Sequence, residues 1–80
     1  MKINEAIKKC QDLIDSGAGR SKVCSFINQL EAARPKLINR QTADKLVEVL
    51  EMDRFNTYPV LKTLSGILIK KQEEEGGGND

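Results

Sequence analysis

Apolar residues recur with helical spacing in four separate stretches of the chain. In the first stretch they follow the series i, i+3, i+4, i+7, i+10 and i+11, which gives Ile3, Ala6, Ile7, Cys10, Leu13 and Ile14. Residues with this spacing share one side of a helix. The pattern predicts a helix over residues 3–15. It should end before Gly17, because glycine accepts the left-handed conformation that closes many helices.

Three further stretches repeat this pattern and predict three more helices. Their predicted ranges are 21–34, 40–52 and 59–72. Ser21 and Asn39 are candidate N-caps, since their side-chain oxygens can accept a hydrogen bond from the first turn. Pro35 should end the second helix, because proline disfavours the helical conformation in the residue before it. Pro59 suits the start of the fourth helix, where its missing N–H is no loss.

These elements predict an all-α domain, a compact bundle of four short helices over residues 1–72. No stretch shows the alternation of apolar and polar residues that is typical of a strand. Residues 73–80 begin with three glutamates, whose charge opposes the dipole at a helix C-terminus, and continue with three glycines. We expect them to form a flexible acidic and glycine-rich tail.

The composition argues against an enzyme, a metal centre and a bound cofactor. The 80 residues contain no histidine, the most common general base, and two cysteines alone cannot complete a four-ligand zinc site. Pairs of acids such as Asp12/Asp15 and Glu48/Glu51 are spaced i, i+3 on charged helix faces, where nothing would tune a catalytic pKa. We therefore expect a non-enzymatic protein with no catalytic residues, no metal ligands and no cofactor.

The chain also lacks the segments that would direct it to a membrane. It contains no run of 18 apolar residues, and its first five residues do not lead into an apolar stretch. We expect a cytoplasmic protein with no membrane partner. In that compartment Cys10 and Cys24 should be free thiols, buried or half-buried, although a disulfide between them stays open as an alternative.

The net charge of +1 is unevenly distributed along the chain. Residues 1–40 contain eight Lys/Arg and four Asp/Glu, which gives +4, and residues 41–80 contain five and eight, which gives −3. Such a distribution is compatible with ordinary surface charge, with steering towards an anionic partner, or with attraction between the halves of two subunits.

One face of the second predicted helix differs from every other exposed helix face. It is polar but nearly uncharged, and we refer to Ser21, Ser25, Asn28, Gln29 and Ala32 together as the α2 polar face. Solvated helices usually carry Glu and Lys, and depletion of charge is a property of the centre of an interface. We therefore predict a partner-binding site here, formed by Arg20, Ser21, Lys22, Ser25, Asn28 and Gln29.

A weaker signal predicts contacts with phosphate or another anion. Small residues followed by cations precede the second helix, and further cations follow it; the candidates are Gly19, Arg20, Lys22, Arg34, Lys36 and Arg40. Free backbone N–H groups at a helix start can bind an anion. A glycine turn with solvated cations would give the same sequence.

The run from Arg20 to Glu31 resembles the recognition helix of the helix-turn-helix of bacterial repressors. With Gly17 as the turn glycine, Val23 and Phe26 fall where that motif places apolar residues, whereas Leu13 stands at its usual small residue. The resemblance implies a dimer that binds DNA, with asparagine and glutamine reading base edges and arginine and lysine meeting phosphates.

We expect a small regulatory protein that acts by binding a macromolecule through the second helix. A protein partner is the first hypothesis, with the chain as an inhibitor or accessory factor of the kind encoded by phages and plasmids. The alternatives are a dimeric DNA-binding regulator and a structural homo-oligomer, such as a homodimer, that buries the α2 polar face between subunits.

Overall fold

Four α-helices form the secondary structure of the protein, in a computed structural model that describes residues 2–34, 36–53 and 56–76. They are α1 (Ile3–Ser16), α2 (Arg20–Ala32), α3 (Arg40–Met52) and α4 (Tyr58–Gly76). The described residues contain no strand. The predicted all-α bundle of four short helices is therefore confirmed.

The helices pack as two antiparallel pairs, of which α1 with α4 is the more extensive. The Cys10 thiol near the middle of α1 donates a hydrogen bond to the Leu61 carbonyl of α4 at 3.3 Å. Towards the start of α1, Asn4 accepts a hydrogen bond from the Gln72 side chain of α4. Later residues of α1 thus contact earlier residues of α4, so the two helices are antiparallel.

The second pair consists of α2 and α3. Arg20 at the start of α2 forms an ion pair with Glu51 near the end of α3, so these helices are also antiparallel. Contacts across α1–α2 and α3–α4 are sparser, and they join the two pairs into one bundle. Each pair combines one helix from the basic half of the sequence with one from the acidic half, so the two halves are interleaved within one chain.

The hydrophobic core lies between the two helix pairs. Its most buried side chains come mainly from α2 and α4, with Cys10 from α1 and Leu50 from α3: Cys10, Val23, Phe26, Ile27, Leu30, Leu50, Val60, Leu61, Leu64 and Leu68. Those of α2 and α4 are adjacent or lie three or four residues apart, which keeps them on one side of each helix. The side of α2 that faces away from this core carries the α2 polar face.

Gly17 closes α1 in the way the sequence predicts. Its backbone is left-handed, with φ 64° and ψ 42°, a conformation that glycine adopts without the steric cost of a Cβ. The N–H groups of Gly17 and Ala18 donate to the carbonyls of Ile14 and Leu13 at 3.2 and 3.0 Å. These bonds satisfy two carbonyls that the end of the helix would otherwise leave unpaired.

The observed boundaries of α2 differ from the approximate predicted ones by one residue at its start and two at its end. Gly19 is the N-cap in place of Ser21, and the Val23 N–H already donates to the Gly19 carbonyl at 3.2 Å. At the other end the helix stops at Ala32, two residues before the predicted end. The Leu30 carbonyl, which Arg34 would bond in a longer helix, instead accepts the Leu37 N–H at 3.3 Å. Pro35, to which we attributed the end of the helix, lies outside the described residues.

The predicted end of the fourth helix is wrong, because α4 continues from 72 to Gly76. Glutamate is a good helix former, and Glu74 lies one turn after Lys70, where opposite charges stabilise a helix. The hydrogen bond from Gln72 to Asn4 further anchors this part of α4 to α1. Residues 73–76 are therefore helical, and the remaining four residues of the predicted tail lie outside the described residues.

Asn39 caps α3 as the sequence predicts, with its Oδ1 accepting the Thr42 N–H at 2.7 Å. We expect Asn39→Ala to destabilise the fold by about 1 kcal/mol, because the Thr42 N–H loses its acceptor. For a domain of this size that corresponds to a melting temperature lower by about 4–8 °C. Thermal unfolding followed by circular dichroism measures the change, and Asn39→Asp, which keeps an acceptor, should unfold close to the wild type.

Both cysteines are free, which confirms the expected thiols over the disulfide. Cys10 is fully buried between α1 and α4, and burial raises the pKa of its thiol from 9.0 to about 11. Cys24 lies on α2 and is half-buried. The two thiols therefore occupy different environments although their positions are symmetric about Gly17.

Candidate functional site

All six residues of the predicted partner-binding site are exposed on the surface of α2. They are Arg20, Ser21, Lys22, Ser25, Asn28 and Gln29. Their exposure follows from the helix period, because the positions between them carry the buried apolar residues of α2. The structure does not gather them into one cluster. It divides them among three places around the helix.

Four of the six line a groove between α1 and α2. Ser21, Lys22, Ser25 and Gln29 of α2 meet Lys9 and Leu13 of α1 there, with Phe26 at the floor. We call this the α1–α2 groove; its volume is about 320 Å³. The groove exists because α1 and α2 are sparsely packed against each other, each having its main partner elsewhere.

Lys9 spans this groove and was missed as a site residue by the sequence analysis. Its Nζ donates a hydrogen bond to Gln29 Oε1 at 2.9 Å. It also lies 5.9 Å from the centre of the Phe26 ring, within the range of a cation–π interaction. Phe26 is only 1% exposed, so the Lys9 stem and its neighbours cover the ring. The sequence did contain an indication of this role, because Lys9 lies one helical turn before the apolar Leu13 and therefore shares its side of the helix.

Asn28 lies on the other side of the α2 polar face, towards α3. It lines a small polar depression of about 180 Å³ together with Glu31, Arg40, Ala43 and Asp44. The α2 polar face is thus a ridge with the α1–α2 groove along one side and this depression along the other. A partner that covers the ridge would contact both.

Arg20, the remaining predicted contact, is directed towards α3. Its guanidinium donates a hydrogen bond to the Glu51 carboxylate. That bond and the negative charge of Glu51 raise the pKa of Arg20 above its ordinary value. Arg20 therefore stabilises the α2–α3 pair and is held away from the α1–α2 groove.

The predicted anion contacts do not form a single site, because they lie at both ends of α2. Gly19, Arg20 and Lys22 stand at its start, whereas Arg34 and Lys36 follow its end, about 20 Å away for a 13-residue helix. The side chain of Arg34 donates to the carbonyls of Ala32 and Ala33 at 3.5 and 3.3 Å. It caps the end of α2.

Two further cations of this set lie close to carboxylates. Lys36 Nζ is 4.0 Å from Glu31 Oε1, and Arg40 Nε is 4.0 Å from Asp44 Oδ2. Anion binding near the end of α2 would have to compete with these acids. At the start of α2, Gly19 offers no side chain to cap the first turn, so anion binding there stays a prediction.

A larger cleft of about 440 Å³ lies at the seam between α3 and α4. Lys36, Lys70 and Lys71 line it together with Glu74, above a floor that includes Leu37 and Ile38. Of the predicted site residues only Lys36 belongs to this cleft. None of its described lining residues belongs to the α2 polar face.

Within residues 2–34, 36–53 and 56–76, no group of three or more cysteine and acidic side chains is placed to hold a metal ion. Asp12, Asp15, Glu48 and Glu51 are exposed, and Glu51 pairs with Arg20. None of the four described helices is both long and apolar enough to cross a membrane.

Comparison with known proteins finds no significant match to this chain among protein-family models, curated proteins or solved structures. The α2 polar face and the α1–α2 groove therefore carry the functional argument by their own chemistry.

Proposed function

We propose that this chain is a small, non-enzymatic regulatory protein that binds another protein through the α2 polar face and the adjoining α1–α2 groove. Its role would be that of an inhibitor or accessory factor in the cytoplasm, where thiols such as Cys10 and Cys24 stay reduced. The observation that carries the proposal is an exposed, nearly uncharged helix face beside a groove with an apolar floor.

The groove and the ridge supply the two components that a protein interface combines. The half-buried Leu13 supplies apolar surface to the groove, whose base closes on the almost fully buried Phe26. Ser21, Ser25 and Gln29 along the rim, and Asn28 on the far side of the ridge, can donate and accept hydrogen bonds. An apolar centre with a polar rim is the common anatomy of such surfaces.

The ion pairs around α2 favour a protein partner over DNA. Arg20 pairs with Glu51, and Lys36 and Arg40 each lie 4.0 Å from a carboxylate. A DNA phosphate would have to displace these carboxylates or approach them against charge repulsion. DNA binding draws most of its affinity from free cations that neutralise phosphates.

The proposal predicts that Ser25→Glu strongly weakens capture of the partner. A glutamate at the centre of the α2 polar face adds a charge and a longer side chain to the interface, and we expect at least a tenfold loss, about 1.4 kcal/mol or more. The measurement is a pull-down from the native host after nuclease treatment, quantified by mass spectrometry. Gln11→Glu is the matched control, because Gln11 is exposed on α1 and lies outside the groove.

A captured protein is accepted as the partner only if wild type and Gln11→Glu retain it while Ser25→Glu loses it. Capture that is equal in all three proteins would contradict the proposal. Capture that disappears after nuclease treatment, or that weakens steeply with salt, would instead indicate nucleic acid. Light scattering on wild type and Ser25→Glu tests the homo-oligomer hypothesis. That hypothesis requires a dimer or larger species that the substitution dissociates.

A further inference from the structure

Among the residues that the structure describes, lysine is the only charged type that lines the α1–α2 groove. The seven described lining residues include Lys9 and Lys22 and no acid. We propose that the partner places an acidic, amphipathic α-helix along this groove, with two carboxylates seven residues apart and an apolar side chain midway between them. This inference rests on the proposed function, since it specifies the chemistry of the partner at the same site.

Lys9 provides the first carboxylate position. Its ammonium bonds Gln29 Oε1, a neutral acceptor, at 2.9 Å, and this contact uses one of its three N–H donors. A carboxylate is a stronger acceptor for this ammonium than a neutral amide oxygen, because its negative charge adds a Coulombic attraction that the amide lacks. An acid on the partner can therefore bind Lys9 beside Gln29 or replace that amide.

Lys22 provides the second carboxylate position and fixes the spacing between the two acids of the partner. Lys22 precedes Gln29 by seven residues, and therefore lies about 10 Å along the α2 axis from the point where Lys9 is bound. Two acids seven residues apart on one side of a partner helix are separated by the same rise, two helical turns. A helix parallel or antiparallel to α2 can thus meet both lysines at once.

Phe26 marks the midpoint between the two lysine positions. It follows Lys22 by four residues and precedes Gln29 by three. Its ring is covered, so the apolar surface open to a partner there comes from half-buried Leu13 and from the methylene stem of Lys9. A leucine, isoleucine or methionine three or four residues after the first acid would contact this surface.

The experiment is a selection from random 16-residue peptides displayed on phage, with the full-length chain as bait. Enriched binders are then tested on a Lys9→Met/Lys22→Met double variant, since methionine keeps an apolar stem of similar length and removes the charge. We expect enriched peptides to carry Asp or Glu at i and i+7 with an apolar residue at i+3 or i+4. Each single Lys→Met change should weaken binding about threefold and the double change about tenfold.

Lys8→Met is the matched control, because it removes the same charge one residue away from the groove and should leave peptide affinity unchanged. The inference is overturned if the selection yields neutral or basic peptides, acids at another spacing, or no binders. It is also overturned if selected peptides bind the double variant as tightly as the wild type.

Failure of this inference can be distinguished from failure of the proposed function. If Ser25→Glu strongly weakens capture of the host partner but no acidic peptide is selected, the binding surface is correct and the partner chemistry is wrong. If Ser25→Glu has no effect on capture, the proposed function fails whatever the peptides show.

Discussion

Leu64→Ala is expected to lower the melting temperature by about 10–20 °C or more. Leu64 is 0% exposed at the centre of α4, and truncating a buried leucine costs about 2–5 kcal/mol through lost burial and the cavity left behind. The total stability of an 80-residue domain is only about 4–12 kcal/mol. One substitution can thus remove a large share of it, at about 4–8 °C per kcal/mol.

Thermal and denaturant unfolding of Leu64→Ala should be compared with those of Ile69→Ala. Ile69 is on the same helix but is 39% exposed, so its truncation should cost far less. Both variants introduce alanine into α4, so helix propensity does not explain a difference between them. Equal losses for the two variants would show that the packing of α4 is not the one described.

The second large effect is expected in thiol chemistry. At pH 8 Cys24 should react readily with iodoacetamide in the native protein, whereas Cys10 should react at least 100-fold more slowly than an ordinary thiol. The thiolate is the reactive form, and a pKa raised from 9.0 to about 11 lowers its fraction at pH 8 about 100-fold. Complete burial of Cys10 adds further protection, because the reagent needs a local opening of the α1–α4 pair.

Trypsin places the two cysteines on separate peptides, because Arg20 lies between them, so mass spectrometry can follow each rate. In denaturant the protection of Cys10 should disappear, which provides the control for intrinsic reactivity. Fast labelling of Cys10 in the native state would contradict the burial of its thiol between α1 and α4.

The number and approximate positions of the helices could be predicted, because each has its own apolar periodicity. The exact first and last residues of the helices could not always be predicted from the sequence. Asn39 was correctly identified as a cap because a side-chain acceptor marks it, whereas α2 begins at a glycine cap that has no side chain to signal it. The end of α2 depends on the bond between Leu37 and Leu30, which forms only after the chain turns back.

The pairing of the helices lies beyond sequence periodicity for a different reason. A hydrophobic stripe shows which side of a helix is buried, but it does not say which helix covers it. The α2 polar face was therefore recognised as a surface, while the groove along its edge depends on α1 being paired with α4. For the same reason Lys9 was not predicted as a site residue, although α1 places it against Gln29 of α2.

The pairing of α1 with α4 also has a consequence for the order in which the chain can fold during synthesis. Their contacts join residues 51 and 68 positions apart, at Cys10 with Leu61 and at Asn4 with Gln72. α2 and α3 are neighbours in the chain and can associate first, whereas the buried side of α1 has no cover until α4 has left the ribosome. Because contacts between distant positions slow folding, we expect completion of this pair to set the rate for the whole domain.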